Sequence, residues 1–513
     1  MTPAYLVLCR IALSVLSVLL RKGHRQLLVL AHLIDAGLIG MLFVRLYTVG
    51  ECECVLGPWT AATSIAFSVD RIGLTFVSLA FALSVAVTLY TWRDALKPYA
   101  FLLLNLLVGA CYALSFTKDL FNAYVLFELI TLSSFLLVGY DRKPCQIWAS
   151  LRYLILSSFG MTIFLFGIAV AYYHAGTLHL DALASAVAAN PSSPWITLSA
   201  ALLVTGVSVK AGVFVFSLWL PSAHAEAPPA VSALLSGLVI KMGVVELFRL
   251  SGVFPLETTL LVLGFVTAFL GLVYAVRTKH IKRMLAFHTL SQIGYLLIGF
   301  GAGTESARVG ALDYAVAHGL FKGLLFLVVG EIATLAGSDD LDQLVQHRDR
   351  FPRACRWMLI VACLGILGLP PFAGFAAKAV LEAGIHSTLV HALVALVSVG
   401  TAASFAKLVP LLSRPFGGPR CAVPRAVGYG WLGAAILFFL PLSRLLVPQP
   451  IWLTTFNALA FVEALAAVLL GFAVYRLLQH VPWRLPRNIF RIEEALTAVL
   501  AGFILVWSLL AAA

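Results

Sequence analysis

The chain consists of apolar runs of about 20 residues that follow one another from end to end, separated by short polar joints. A helix of about 20 apolar residues crosses the hydrocarbon core of a bilayer, where only helices and closed barrels satisfy every backbone polar group. Charged residues are 11% of the chain, whereas soluble domains carry about 25%. The sequence therefore predicts an all-α polytopic membrane protein without a soluble domain.

The apolar runs and their breaks predict about sixteen transmembrane helices. The predicted spans are 4–20, 26–48, 71–92, 98–116, 120–140, 153–175, 196–220, 229–250, 256–276, 285–301, 309–335, 357–382, 388–412, 426–443, 453–475 and 494–511. The first run contains Arg10 and no small-residue cleavage site, so we expect a retained helix whose arginine reaches water near the chain end. The spans fall into four regions: 1–97 (spans 1–3), 98–250 (spans 4–8), 256–412 (spans 9–13) and 426–513 (spans 14–16).

Basic residues are distributed unevenly between the two sides of these spans. The odd-numbered joints hold 23 of the 35 lysines and arginines, the even-numbered joints hold 6, and 6 lie inside spans. By the positive-inside rule the odd joints face the cytoplasm, so we expect a cell inner (plasma) membrane protein with both termini on the non-cytoplasmic side. This asymmetry explains the net charge of +12 without a nucleic-acid partner.

Several ionisable residues remain inside the predicted spans. Besides Arg10 they are Glu128, Lys210, Lys241, His318, Lys322, Lys378 and Lys407, and we place the four central lysines near the middle of their spans. A lysine at the bilayer centre costs about 2.5–3.5 kcal/mol on insertion scales, and such groups usually mark an ion pathway. A single lysine could instead form a buried structural ion pair, but a row of them favours proton translocation.

The spacing of these residues suggests how a proton is held and passed on. Glu128 is the expected partner of Lys210, because burial favours the neutral amine while a nearby carboxylate favours the ammonium. A helix N-terminus could satisfy Glu128 instead. His318 and Lys322 are four residues apart, so they share one helix face and could pass a proton between the two halves of the protein, although a lone histidine there would more often be a core residue.

Two spans carry the sequence signs of a broken helix. In "LGLPPFAGFAAK" two prolines and a glycine precede Lys378 in span 12, and span 7 has Gly206 and Gly212 around Lys210. Unwound backbone at this depth occurs where it is buried in protein or lines a wet cavity.

The lysines of these two spans are also spaced alike along the chain. Lys210 precedes Lys241 by nearly the same interval as that by which Lys378 precedes Lys407, and the two pairs lie five spans apart. Because five is odd, the two units enter the membrane from opposite sides, which predicts inverted repeats that form two half-channels.

Four motifs occur in an order that resembles a known family. They are "LWLPSAHAEAPPAVSALLSGLVIKMGVVELFR", "RMLAFHTLSQIGY", "AHGLFKGLLFLVVGEI" and "GLPPFAGFAAK". The stretch from about 70 to 412 resembles the antiporter-like subunits shared by complex I, membrane-bound hydrogenases and Mrp-type cation/proton antiporters. The resemblance is nearest to the D subunits of Mrp antiporters and to hydrogenase-type members. It implies fourteen core helices with two inverted five-helix units, spans 4–8 and 9–13, and broken helices 7 and 12.

The resemblance also implies roles for individual residues. Glu128 matches the glutamate of helix five, Lys210 its partner on the broken helix, and Lys241 the relay lysine of helix eight. His318 and Lys322 match the linking groups of helix eleven, and Lys378 matches the terminal ionisable residue of helix twelve; Lys407 rests on its spacing alone.

Spans 15 and 16 extend beyond that core, and the joint 476–493 is too short for a long lateral helix. It carries Arg484, Arg487 and Arg491 beside Trp483, Ile489 and Phe490, which predicts an amphipathic interfacial segment.

Three functions remain open from the sequence. The first is a proton-translocating subunit that is itself non-catalytic and belongs to a multi-subunit oxidoreductase (translocase) complex. The second is an Mrp-type Na⁺/H⁺ antiporter subunit, and the third is an inert scaffold. We expect no metal and no cofactor, because the eight cysteines form no ligand set and "GFGAG" ends a helix rather than binding a dinucleotide, so partner membrane subunits would carry any redox chemistry.

Overall fold

The computed structural model describes residues 3–20, 23–56, 65–94, 97–438, 458–479 and 491–512, and the chain is mostly helical. Its helices are α1 Ala4–Leu19, α2 His24–Val49, α3 Arg71–Tyr90, α4 Pro98–Phe116, α5 Leu120–Val138, α6 Pro144–Ala175, α7 Leu180–Ala189, α8 Pro194–Ala211, α9 Leu220–Glu226, α10 Pro229–Leu234, α11 Ile240–Leu250, α12 Glu257–Arg277, α13 Ile281–Gly301, α14 Glu305–Ala336, α15 Leu341–Gln346, α16 Arg353–Leu367, α17 Ala373–Ala383, α18 Thr388–Ala406, α19 Val409–Leu412, α20 Val423–Leu437, α21 Ala458–Leu478 and α22 Ile492–Ala511. Thirteen spans in this described part are long and apolar enough to cross a membrane.

Helix ends generally lie within a few residues of the predicted spans. The largest difference is α6, which begins at Pro144 rather than at 153 because a proline at its first turn starts the helix early. Span 7 is divided into α8 and α9, and span 12 into α16 and α17. Part of span 14 and most of the predicted interfacial segment, with Trp483, Arg484, Arg487, Ile489 and Phe490, lie outside the described residues.

A short β-hairpin at the start of the bundle was not predicted from the sequence. Cys52–Leu56 (β1) pairs antiparallel with Ile65–Val69 (β2), and Phe67 of β2 also bridges to Thr117 after α4. The hairpin therefore connects the N-terminal helices to the joint between α4 and α5.

One local arrangement occurs twice along the chain. Asp119 bridges to His179 before α7, and His280 bridges to Asp340 before α15. Next to these bridges Lys118 pairs with Asp181 at 3.0 Å, and Lys279 pairs with Asp342 at 2.7 Å. Along the chain, the first pair of bridged residues lies on either side of the 32-residue helix α6, and the second pair lies on either side of the 32-residue helix α14. The two joints therefore occupy corresponding places in the two halves of the chain.

The centre of the bundle is formed by α10, α11, α13 and α14. The apolar window of Pro229–Leu250 is 94% buried and that of α13 is 100% buried, compared with 6% for α21. Ionisable groups in the middle of these helices are therefore surrounded by protein.

Arg10 does not reach water, contrary to the expectation from its place near the chain end. Its side chain is 1% exposed and donates to Asp35 Oδ2 at 2.8 Å and to Asn105 Oδ1 at 2.7 Å. Tyr112 also donates to Asp35 at 2.8 Å. Arginine can be buried here because α2 supplies a carboxylate and α4 supplies further hydrogen-bond partners.

Candidate functional site

Lys210 lies at the break in span 7. Its helix α8 ends at Ala211, and Gly212 follows with a φ of +83°, a left-handed conformation that glycine adopts without strain. The carbonyl of Val209, left without a helical partner, accepts from Ser217 Oγ at 2.9 Å and from Trp219 Nε1 at 3.0 Å. These two side chains stabilise the unwound stretch beside the lysine.

The ammonium of Lys210 is buried and donates to the hydroxyl of Thr131 on α5. Glu128 lies three residues earlier on α5, so both side chains share one helix face. Glu128 is half-buried and interacts electrostatically with Lys210, but these two described residues form no ion pair within 4.0 Å. The carboxylate and the amine are thus neighbours through Thr131 rather than direct partners.

Lys241 lies at the centre of the bundle and is fully buried. Between α10 and α11 the residues Leu235–Val239 form a π-helical turn, and the carbonyl of Ser236 in this turn accepts from Lys241 Nζ at 2.8 Å. Single π-helical turns inside α-helices occur frequently at functional sites, because they free backbone groups for other partners.

The same ammonium lies 2.5 Å from Nδ1 of His318 on α14. His318 is fully buried, and its Nε2 has no hydrogen-bond partner among the described residues. In the tautomer whose Nδ1 accepts from lysine, the ring proton is on Nε2.

Lys322 lies one turn beyond His318 on the same helix and is fully buried. Its ammonium donates to the carbonyl of Leu285 on α13 at 2.8 Å and lies 6.0 Å from the centre of the Phe326 ring. Lys322 therefore contacts α13, whereas His318, one turn earlier on α14, contacts Lys241 on α11.

Two further buried histidines lie near these lysines and were not predicted from the sequence. His224 on α9 and His288 on α13 are fully buried, and neither ring nitrogen of either has a hydrogen-bond partner in the described part of the chain. His224 interacts electrostatically with Lys241 and Lys322. His288 interacts with Lys322 and Lys378.

Both histidines lie in the motifs "SAHAEAPP" and "AFHTLSQIGY", so a usable signal was present. A single histidine in an apolar helix usually indicates core packing, and only the tertiary contacts show what surrounds it.

Lys378 lies on α17, just after the break in span 12, and is 7% exposed. Its ammonium lies 5.5 Å from the ring centre of Tyr295 and 5.8 Å from that of Tyr314. Tyr314 in turn donates to Gln292, whose amide donates to Thr401 at 3.0 Å. Aromatic faces and polar side chains therefore surround the second helix-break lysine.

Lys407, which was selected by its spacing alone, lies at a helix end rather than within a helix. Helix α18 ends at Ala406, and Lys407 donates to the carbonyls of Ala275 at 2.6 Å and Thr278 at 2.7 Å. These carbonyls belong to the C-terminal end of α12, where a cation compensates the helix dipole. Lys407 is buried, but the contacts of its ammonium are with the end of a neighbouring helix and not with another ionisable side chain.

Comparisons with known proteins identify the family of the chain. Residues 117–404 match the family model described as NADH:quinone oxidoreductase/Mrp antiporter, transmembrane. The D subunit of the Na⁺/H⁺ antiporter of Alkalihalophilus pseudofirmus is 29% identical over 383 residues, which is 70% of this chain and 76% of that protein.

Two solved structures have the same fold. A chain of the membrane-bound sulfane sulfur reductase, an archaeal respiratory membrane complex, superposes with a TM-score of 0.78 at 21% identity and covers 91% of this chain and 99% of its own. A chain of the Mrp complex from Dietzia sp. gives 0.76 at 22% identity, covering 99% of this chain and 60% of its own. The predicted all-α polytopic membrane fold is thereby confirmed.

Proposed function

Because the chain belongs to the NADH:quinone oxidoreductase/Mrp antiporter transmembrane family, we propose that it carries protons through its row of buried ionisable groups. The row consists of Glu128, Lys210, Lys241, His318, Lys322 and Lys378, with His224 and His288 beside it. The energy for transport comes from partner subunits of a membrane complex.

The contact between Lys241 and His318 is the observation on which the proposal rests. An ammonium 2.5 Å from an imidazole nitrogen is within hydrogen-bond distance, so a proton can move from lysine to histidine without rearrangement of the helices. The imidazole then holds a proton on each nitrogen, and Nε2 can release its own towards the groups around Lys322.

Lys210 forms the first switch of this route. The amine is held by Thr131, one turn from Glu128, so a small shift of α5 changes its distance from the carboxylate. Approach of Glu128 stabilises the ammonium, and withdrawal favours release of its proton towards Lys241. Such a shift is the step at which a partner subunit would transmit energy.

The stretches 98–250 and 256–412 are proposed as two inverted units. In support of this, the bridged joints with Lys118–Asp181 and Lys279–Asp342 recur once in each stretch and lie five spans apart. Each unit also contains one broken span with a buried lysine next to the break, Lys210 or Lys378.

The chain is a multi-pass membrane protein, and the two similar solved structures are parts of multi-subunit membrane complexes. We propose a plasma-membrane location with partner membrane subunits of a complex I-like, hydrogenase-like or Mrp-like assembly. The asymmetry of basic joints supports non-cytoplasmic termini.

A second candidate is a secondary transporter that exchanges Na⁺ for H⁺, like the D subunits of Mrp antiporters. The match to the Na⁺/H⁺ antiporter relative, which covers 76% of that protein's length, favours this candidate. Sodium-dependent proton movement in vesicles without an electron donor would support it, whereas a requirement for donor and acceptor would support the redox-driven function.

Substitution at the first switch tests the proposed function. In the assembled complex, reconstituted in vesicles, Lys210→Ala and Glu128→Ala should each abolish proton transport measured with a pH-sensitive dye. Lys118→Ala is the matched control, because this lysine is partly exposed in a joint and forms only a surface ion pair. Transport near the wild-type rate in both site variants would refute the proposal.

A further inference from the structure

Three side chains from three helices converge at one end of the second unit. Glu382 lies at the end of α17, His391 in the first turn of α18, and Glu463 in the second turn of α21. One oxygen or nitrogen from each lies within 4.8 Å of the other two. Glu382 and His391 are partly buried and Glu463 is exposed, so the group extends from the bundle to its surface. The joint between α17 and α18 is an even-numbered joint, and the even-numbered joints hold few basic residues, so the positive-inside rule assigns this surface to the non-cytoplasmic side.

The group is connected to the row of buried residues through Tyr295. Its hydroxyl donates to Glu382 Oε1 at 2.6 Å, and its ring lies 5.5 Å from the ammonium of Lys378. Lys378 precedes Glu382 by four residues on α17, so the two side chains share a helix face and interact electrostatically.

The ammonium of Lys378 is itself an independent indication of an exchangeable proton. The side chain is more than nine-tenths buried, and it forms no hydrogen bond or ion pair with any described residue. Faces of aromatic rings replace part of the hydration of its ammonium. Glu382 is the carboxylate on the same helix face of α17 and interacts electrostatically with Lys378, so it is the acceptor to which the amine can pass a proton.

Carboxylates and imidazoles are side chains that accept and release protons. Because the three groups lie within 4.8 Å of one another and one of them is exposed, they offer a place where a proton can pass between the bundle and its surface.

We propose that Glu382, His391 and Glu463 form a proton-exchange group that connects Lys378 to the non-cytoplasmic surface. This inference rests on the proposed function and adds its outer terminus. It also gives α21 a role, because this peripheral helix supplies the exposed carboxylate.

The proposal is tested first by transport in the reconstituted complex. Glu382→Gln and His391→Gln should slow proton transport about tenfold and Glu463→Gln about threefold, since an exposed group is more easily replaced by water. The control is Glu257→Gln, which removes an exposed glutamate at the start of α12 on the same side of the membrane and should leave the rate unchanged.

If all three variants transport like the control while Lys210→Ala abolishes transport, the exchange group is refuted and the proposed function stands. If Lys210→Ala also transports normally, both fail.

A second measurement tests the convergence of the three groups without relying on transport. One imidazole and two carboxylates offer three ligand atoms of the kinds that Zn²⁺ prefers. Titration of the purified complex with Zn²⁺ should reveal a site whose affinity falls at least tenfold in His391→Ala and is unchanged in Glu257→Gln. Absence of Zn²⁺ binding that depends on His391 would overturn the geometry, and with it the proposal.

Discussion

Lys241 and Lys407 hold corresponding places in the sequence but different places in the molecule. Each follows the lysine of a broken span, Lys210 or Lys378, at nearly the same interval along the chain. Lys241 is fully buried against a histidine, whereas Lys407 caps the carbonyls of α12. Similar spacing therefore identifies which lysines correspond without determining their depth.

The ends of the two helices explain the difference. Helix α11 continues beyond Lys241 to Leu250, so the lysine has helix on both sides. Helix α18 ends at Ala406, one residue before Lys407, and only the four residues of α19 follow. A lysine at a helix end is close to other helix ends, whose unpaired carbonyls are its natural acceptors.

The first lysines of the two units differ as well. Lys210 is held by the hydroxyl of Thr131, whereas Lys378 rests on the faces of Tyr295 and Tyr314. One amine is therefore fixed by a hydrogen bond and the other only by weaker contacts.

The largest expected effect separates Lys241 from Lys407. Lys241→Met should reduce proton transport by the reconstituted complex more than a hundredfold, because the amine that faces His318 is lost. Lys407→Met should change the transport rate less than twofold. Equal losses in both variants would show that Lys407 belongs to the transport route and that the two lysines are functionally equivalent.

The next effect concerns the link between the units. His318→Ala should slow transport at least tenfold, because it removes the group between Lys241 and Lys322. His386→Ala is the control, since that histidine is exposed in the joint between α17 and α18. A normal rate in His318→Ala would mean that each unit translocates protons independently.

Lys407 should matter for stability instead. Lys407→Met leaves the carbonyls of Ala275 and Thr278 without their charged donor, and hydrogen bonds to charged groups contribute about 1.5–3 kcal/mol. We expect the thermal unfolding temperature of the purified complex to fall by several degrees, with partial recovery in Lys407→Arg. An unchanged unfolding temperature would contradict the capping role.

The sequence predicts most of the fold because hydrophobicity and helix length are local properties. Span 98–116 coincides with α4, and the breaks next to Lys210 and Lys378 follow from nearby glycines and prolines. The bridge from the β-hairpin to the joint after α4 was missed because it joins Phe67 to Thr117, far along the chain. Arg10 was misjudged for the same reason, since its partner Asp35 lies on another helix.

The site was predictable only where several ionisable residues recur in a pattern. Lysines stand out in an apolar helix, but His224 and His288 do not, because a histidine also fits a packed core. The contact of Lys241 with His318 joins residues 77 positions apart and needs the fold to be seen. Thr131, which lies between Glu128 and Lys210, likewise gives no signal of its own.

The smallest expected effects come from the lysines that occupy the same place in both units, Lys118 and Lys279. Their ion pairs with Asp181 and Asp342 are largely exposed, and such pairs contribute about 0–1 kcal/mol. Lys118→Ala and Lys279→Ala should therefore each lower the unfolding temperature of the complex by at most a few degrees, less at high salt.

The pH dependence of the Lys279 pair has a defined sign. The hydrogen bond and charge of Asp342 raise the pKa of Lys279, which lies in a joint outside the spans. Its small contribution is therefore fully present below the ordinary lysine value of about 10.4 and is lost as the pH rises through the raised value. The difference in unfolding temperature between wild type and Lys279→Ala should accordingly disappear in strongly alkaline buffer. If Lys118→Ala and Lys279→Ala lower the unfolding temperature by similarly small amounts, the two repeated joints are equivalent. The two stretches then differ at Lys241 and Lys407, where the helix ends set the depth of the amine. A large loss of unfolding temperature from one joint lysine alone would mean that the repeated bridges are not equivalent.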